Sequence, residues 1–107
     1  MRAKPVIPRE QANRDVEEAI EHYANDGGEQ AALGFVDALE RSYSHIGRHP
    51  AAGSPRYAHE LDLPGLRCWS VKRYPQLIFY FERDDHIDVW RVLHGQSDIP
   101  TWMQTPE

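Results

Sequence analysis

Five basic side chains lie on or beside predicted β-strands in the second half of the chain, where a purely structural sheet favours apolar or neutral groups. They are Arg67, Lys72, Arg73, Arg91 and His94. Such groups could bind an acidic protein partner. They could also serve RNA cleavage, which must activate a 2′-hydroxyl, stabilise a charged phosphorane and protonate the leaving oxygen. The candidates for that chemistry are Lys72, Arg73, Tyr74, Arg91 and His94.

Each basic residue also has a structural interpretation, and the sequence leaves both open. Arg67 could donate a hydrogen bond to a loop carbonyl or an acidic side chain. Arg91 alternates with Val89 and Leu93 on one strand face. We therefore expect it to be partly buried and paired, because an unpaired buried charge is costly. His94 closes the last strand, where a hydrogen-bonded structural histidine is favoured over a general acid. Lys72 and Arg73, at the end of the predicted strand at residues 66–73, could form a solvated edge that resists aggregation.

Other chemistries find little support in the sequence. The six histidines lack the clustered spacing of a metal site. Cys68 lies inside a predicted strand, which favours a small core residue over a nucleophile. Gly27-Gly28 is interpreted as a turn between helices, and there is no glycine-rich phosphate loop. We therefore expect neither a metal nor a cofactor.

The first half of the chain is predicted to form an edge strand followed by two helices. Residues 5–8 are extended, and their two prolines confine them to a sheet edge. Apolar residues recur at spacings of three and four over residues 9–26 and again over residues 29–47. Gly27-Gly28 separates the two helices by a short break, so we expect them to pack antiparallel as a hairpin.

Three strands are predicted to follow, at residues 66–73, 76–83 and 87–93. Their short connections predict an antiparallel meander. Apolar residues occupy both faces of the second strand, which indicates a central strand covered on both sides. One face carries Leu77, Phe79 and Phe81, and the other carries Ile78 and Tyr80.

These elements predict an α+β fold in which a short N-terminal edge strand and an α-helical hairpin pack on an antiparallel three- to four-stranded sheet. The hairpin can cover one face of the sheet, and the other face lacks an obvious cover within the chain. Residues 48–65 are rich in helix breakers and are predicted to be a loop. The apolar tail at residues 99–103 could pack on the sheet or contact a partner.

Size and charge narrow the classes of function. A chain of 107 residues is predicted to be one domain, residues 1–107, with a single cysteine and therefore no intrachain disulfide. No apolar signal core or membrane span is present, so we expect a cytoplasmic protein with no membrane partner. The formal net charge of −5 argues against nucleic acid as the main partner.

The charge is unevenly distributed along the chain. Residues 9–41 hold three basic and nine acidic residues, a net charge of −6. Residues 47–73 hold five basic and two acidic residues, a net charge of +3. A dipolar surface of this kind can steer an acidic partner to one face.

The whole-chain pattern resembles the ParE branch of the RelE/ParE toxins of type II toxin–antitoxin systems, from about residue 6 to residue 100. Four pieces in order carry the resemblance. They are Ala12, Asp15 and Tyr23; Ala32, Phe35 and Leu39 with His49-Pro50 and Gly53; Leu66-Arg67 through Tyr74-Pro75 and Tyr80; and Arg91-Val92-Leu93-His94-Gly95 with Asp98-Ile99-Pro100. The family usually has an arginine just before that aspartate, where this chain has Ser97.

The resemblance implies a compact toxin held inactive in a hetero-oligomer with a cognate antitoxin. ParE-like toxins poison DNA gyrase, whereas RelE-like relatives cut mRNA on the ribosome. Those mRNA interferases place an arginine on the second strand about where this chain has Leu77. A non-enzymatic gyrase inhibitor is therefore favoured, with an mRNA interferase or an inactive antitoxin-binding relative as alternatives.

A partner-binding surface is predicted from the same analysis. Its residues are Arg67, Lys72, Arg73 and Trp102. The antitoxin is expected to lay an amphipathic segment over the exposed apolar and basic surface of the toxin. In the interpretation as a gyrase inhibitor, no residue is assigned a catalytic role.

Overall fold

The computed structural model describes residues 3–103. Within these residues there are four strands, three α-helices and one short 3-10 helix at Pro50–Ala52. The elements are β1 (Val6–Pro8), α1 (Glu10–Arg48), α2 (Arg56–Glu60), β2 (Leu66–Ser70), β3 (Gln76–Glu82), β4 (Ile87–His94) and α3 (Ile99–Met103). This arrangement confirms the predicted α+β class.

Helix α1 is a hairpin of two arms, residues 10–27 and residues 29–48, which meet at Gly28. The backbone at Gly28 has φ 82° and ψ −176°, a conformation open essentially only to glycine. The ring of Tyr23, before the turn, packs 5.2 Å from the ring of Phe35, after it. The predicted helical hairpin is therefore confirmed, and its two halves are called the N-terminal arm and the C-terminal arm.

The sheet has the strand order β1-β4-β3-β2. Strands β2, β3 and β4 form the predicted antiparallel meander. The edge strand β1 pairs with β4 in parallel, so the sheet is mixed rather than wholly antiparallel. This pairing joins segments about eighty residues apart, and no local pattern in a three-residue strand specifies its direction.

Strand β2 is shorter than the sequence predicts, because the chain turns after Ser70. The backbone N–H of Val71 donates to the carbonyl of Gln76 at 3.0 Å, and that of Tyr74 donates to Val71 at 3.1 Å. Arg73 lies at φ 72°, in the left-handed region. The prediction that the strand reaches residue 73 is therefore wrong, and its last residues form a turn.

Both faces of the sheet are covered. The helical hairpin packs on one face around Ile78 and Tyr80. On the other face, Tyr57 and Ala58 of α2 and Ile99 and Met103 of α3 pack against the second core cluster. That cluster includes Leu66, Cys68, Leu77, Phe79, Phe81 and Leu93. The expectation that this face lacks a cover was wrong, since both short helices come from segments too brief to show a helical period.

Asp88 on β4 holds the start of the hairpin and the β3–β4 turn together. Arg9 donates to both carboxylate oxygens at 3.0 Å, and Arg83 donates to Oδ2 at 3.1 and 2.9 Å. Burial alone raises the pKa of Asp88. The hydrogen bonds from the two arginines outweigh burial, so the pKa of this carboxyl lies below its usual value.

The replacement Asp88→Asn is expected to lower the free energy of unfolding by about 1–3 kcal/mol at pH 7. Because the folded pKa is depressed, the carboxylate stabilises the fold above its unfolded pKa of about 4, and this contribution is lost as pH falls through the folded pKa. The difference in free energy of unfolding between wild type and Asp88→Asn should therefore shrink below pH 4. Urea unfolding across a pH series measures it.

The matched control for this experiment is Asp84→Asn, at an exposed position of the same turn. It should change the free energy of unfolding by less than about 0.5 kcal/mol at any pH. A difference between wild type and Asp88→Asn that stays constant from pH 7 to pH 3 would contradict the proposed ionisation effect.

Candidate functional site

A cleft of about 490 Å³ lies between the C-terminal arm of α1 and the β2–β3 turn. Its floor is made of small residues one helical turn apart, Gly34, Ala38 and Ser42. Its other lining residues are Asp37, Arg41, His45, Trp69, Lys72, Arg73 and Tyr74. We call this feature the basic cleft, because three cations and one carboxylate line it in a protein whose net charge is −5.

Two aromatic side chains form the walls of the basic cleft. Trp69 stacks on the ring of His45, with centroids 4.6 Å apart and an interplanar angle of 26°. Tyr74 packs edge-on against Phe35 and Tyr23, at 5.4 Å from each. The walls are therefore fixed by packing against α1 and against the core rather than left free in solvent.

Gly34 permits the close approach of the turn to the helix. A Cβ atom at this position would lie 3.0 Å from the Tyr74 hydroxyl, which is closer than nearly all real contacts of a Cβ. Tyr74 can therefore lie against the helix surface, where it closes one end of the basic cleft. Here sequence and packing act together, because the small residue makes room for the ring.

The cations of the basic cleft differ in their pairing. Arg41 forms an ion pair with Asp37, with 3.2 Å between Nη2 and Oδ2, on the surface of the helix. Lys72 and Arg73 are exposed on the turn, and within residues 3–103 neither forms an ion pair or a hydrogen bond through its side chain. These two charges are thus available to a carboxylate from outside the described chain.

Three of the five candidate ribonuclease residues, Lys72, Arg73 and Tyr74, come together in the basic cleft. Arg91 does not join them. Its guanidinium donates to both oxygens of Asp15 at 2.8 Å, and the two side chains are only 6% and 7% exposed. The expectation that Arg91 is buried and paired is therefore confirmed by its contacts.

His94 also lies outside the basic cleft. It ends β4, where it is exposed and in register with Gln76. Its Nδ1 accepts a hydrogen bond from the backbone N–H of Gln96 at 3.1 Å. Ser97 donates its backbone N–H to the carbonyl of His94 at 2.9 Å. The histidine therefore shapes the turn that follows the strand.

Arg67 holds the loop beside β2. Its Nη1 donates to the carbonyls of Ala51 at 3.2 Å and Gly53 at 2.7 Å. The same loop is fixed from the core side by the hydroxyl of Tyr80, which donates to the carbonyl of Pro50 at 2.7 Å. Arg67 thus makes the loop-carbonyl contacts that its structural interpretation predicted, and it does not line the basic cleft.

Trp102 lies on α3 and does not line the basic cleft. Its side chain is 48% exposed, and its carbonyl accepts a hydrogen bond from Arg91 at 2.8 Å. Asp98 precedes the helix and accepts from the Thr101 hydroxyl at 2.8 Å. The predicted surface is therefore divided among three places: the loop at Arg67, the basic cleft and α3.

Sequence reasoning missed the contribution of α1 to the cleft. The sequence assigned no partner-binding role to Arg41, His45 or the small floor residues. The signal that could have revealed them is the spacing of Gly34, Ala38 and Ser42, which places three small residues in one row on the helix surface.

Cys68 does not offer a nucleophile. Burial raises the pKa of its thiol to about 11, an effect that Arg56 only partly offsets. The thiol is therefore protonated at neutral pH and behaves as a small core residue. Among residues 3–103, no three histidine, cysteine or acidic side chains form a group that could hold a metal ion.

Within the same residues, no helix combines the length and apolarity that a bilayer span requires.

A family model described as "ParE toxin of type II toxin-antitoxin system, parDE" matches residues 6–99. The structure resembles a chain described as "Chromosomal ParDE TA system from P. aeruginosa", with a TM-score of 0.73 and 19% sequence identity. The match covers 86% of this chain and 96% of that chain, and at this identity it shows a shared fold. A search of curated proteins finds no match.

Proposed function

This chain belongs to the ParE toxins of type II toxin–antitoxin systems, and from that premise we propose that it arrests growth by binding DNA gyrase and is neutralised by a cognate antitoxin. Both activities are protein–protein interactions, and both are proposed to take place in the cytoplasm. Neither requires the chain to break a covalent bond. The toxin and antitoxin would form a hetero-oligomer.

The observation that supports this proposal is that Arg91 is held in a buried ion pair with Asp15. A ribonuclease needs a cation free to approach the developing phosphorane, whereas this guanidinium is held by Asp15 and by the Trp102 carbonyl. Leu77, at about the position where the family resemblance places an arginine in mRNA interferases, is buried in the second core cluster. Arg91 therefore serves a buried ion pair, and the position of Leu77 serves core packing.

The first experiment expresses the chain alone and together with the protein encoded by an adjacent antitoxin gene. Expression alone should reduce colony counts by several orders of magnitude, and co-expression should restore them. An empty vector sets the baseline. Unchanged growth in cells that contain the folded toxin would contradict the proposed toxicity, and Ser97 would then be the first position to restore to arginine.

The second experiment separates the target. Purified toxin added to DNA gyrase and relaxed plasmid should inhibit supercoiling, while the same concentration added to a cell-free translation reaction should leave protein synthesis unchanged. Normal supercoiling with blocked translation would reject gyrase as the target.

A ribosome-dependent mRNA interferase is the second candidate, because Lys72, Arg73 and Tyr74 share one cleft. On that hypothesis Tyr74→Phe, which keeps the ring packing and removes the hydroxyl, would abolish mRNA cleavage. Under the gyrase hypothesis the same variant should retain inhibition of supercoiling to within about threefold. A third candidate, an inactive relative, predicts antitoxin binding without toxicity.

A further inference from the structure

The basic cleft has the dimensions of a peptide-binding groove. Its floor runs along the C-terminal arm from Gly34 to His45, a length of about 16 Å at a rise of 1.5 Å per residue. That length matches about three turns of a helix or about five residues of an extended chain. The small floor residues allow a partner backbone to approach α1 closely.

The basic cleft also combines apolar and charged surface in a defined order. Trp69 with His45 stands at one end and Tyr74 at the other. The two cations of the turn, Lys72 and Arg73, line one rim, and Arg41 lines the helix side. An occupant therefore meets an aromatic ring at each end of the groove and positive charge at its rims.

The basic cleft carries positive charge, whereas the protein as a whole is negatively charged. Residues 9–41 carry a net charge of −6, and they supply only Asp37 and Arg41 as charged groups in the cleft. Asp37 is already paired with Arg41. A carboxylate-bearing segment would be repelled by most of the hairpin and attracted here, so charge complementarity selects this cleft.

We infer that the basic cleft binds an acidic segment of the antitoxin, with an apolar side chain between Trp69 and Tyr74 and carboxylates against Lys72 and Arg73. This inference rests on the proposed function, because it takes the antitoxin as the partner. It adds the place of binding and the chemistry of the segment. Arg67 and Trp102 lie outside the contact.

The test reverses charge on the full toxin and measures binding to the purified antitoxin by calorimetry. The double replacement Lys72→Glu with Arg73→Glu should weaken binding about 10- to 100-fold, because two attractive contacts become repulsive. Wild-type affinity should fall with added salt, and the variant should show a weaker salt dependence. Thermal unfolding of each variant verifies that it is folded.

The chain offers a closely matched control. Arg41 pairs with Asp37 four residues earlier on the C-terminal arm, and Arg14 pairs with Glu10 four residues earlier on the N-terminal arm. The replacement Arg41→Glu should weaken antitoxin binding about tenfold, whereas Arg14→Glu should leave it within about twofold. Both change an exposed arginine in the same kind of helical ion pair.

A steric variant tests the groove without changing charge. Ala38→Trp places a large ring on the floor of the basic cleft and should weaken antitoxin binding at least about tenfold. Leu33→Trp, at an exposed position of the same arm outside the cleft, should leave the affinity unchanged.

The outcomes separate this inference from the proposed function. If the wild-type toxin fails to bind the antitoxin, the proposed function fails and the inference fails with it. If the wild type binds and the cleft variants bind equally well, only the inference is overturned. It is also overturned if the cleft variants keep antitoxin affinity and lose inhibition of gyrase, since the cleft would then serve the target.

Discussion

Replacing Asp15 by asparagine is expected to lower the free energy of unfolding by about 3–5 kcal/mol, because it removes the carboxylate that faces the buried Arg91 guanidinium. The carboxylate accepts two hydrogen bonds from the guanidinium at 2.8 Å and a third from the backbone N–H of Val92 at 3.0 Å. This one side chain thus ties α1 to β4. Urea unfolding followed by circular dichroism measures the loss.

A double replacement separates the cost of removing one charge of the pair from the value of the pair itself. Asp15→Leu with Arg91→Met removes both charges and keeps apolar volume, so it should be less destabilising than Asp15→Asn alone. The free energy of unfolding of the double variant should still lie below that of the wild type, because the Val92 N–H and the Trp102 carbonyl lose their partners.

The control for the ion pair is Arg14→Ala, at an exposed position of the same helical arm. The change in its free energy of unfolding should stay within about 0.5 kcal/mol. A loss in Asp15→Asn no larger than the loss in Arg14→Ala would contradict a structural role for the buried pair.

The second large effect is expected for Phe35→Ala, which should lower the free energy of unfolding by about 3–5 kcal/mol. Phe35 is fully buried, and its ring lies 5.2 Å from the ring of Tyr23 and 5.4 Å from that of Tyr74. Its removal leaves a cavity where the two arms of α1 meet the β2–β3 turn.

This replacement should also loosen the basic cleft, because Tyr74 loses one of the two rings that hold it against α1. Leu33→Ala is the matched control, since Leu33 lies on the same arm two residues earlier and is 52% exposed. It should change the free energy of unfolding by less than about 0.5 kcal/mol. Similar losses in the two variants would show that the aromatic cluster contributes little to stability.

Local periodicity carried most of the fold prediction. The alternation along residues 76–82 predicted a central strand with two apolar faces, and every residue of β3 except the terminal Glu82 is buried. Gly27-Gly28 predicted the hairpin, and Gly28 has a backbone conformation suited to glycine. Both signals are local, because the period of a strand or a helix and the turn preference of glycine are properties of neighbouring residues.

Elements too short for an apolar pattern to repeat were not predicted. Helices α2 and α3 have five residues each, too few for an apolar stripe to repeat, yet they supply the cover of the second sheet face. The parallel pairing of β1 with β4 likewise depends on where α1 brings the chain back. Contacts between distant segments decided these features.

The sequence by itself determined the hairpin and the three strands of the meander. It also grouped Lys72, Arg73 and Tyr74, since they are consecutive in the chain, although it placed the first two on a strand rather than in a turn. Only the tertiary structure decided that Arg41, His45 and Trp69 join them, and that Arg91 is paired with Asp15 instead. The physical reason is the sequence separation of the contacts: consecutive residues stay together whatever element they form. A cleft or a buried ion pair instead requires α1, bent at Gly28, to pack on strands that come much later in the sequence.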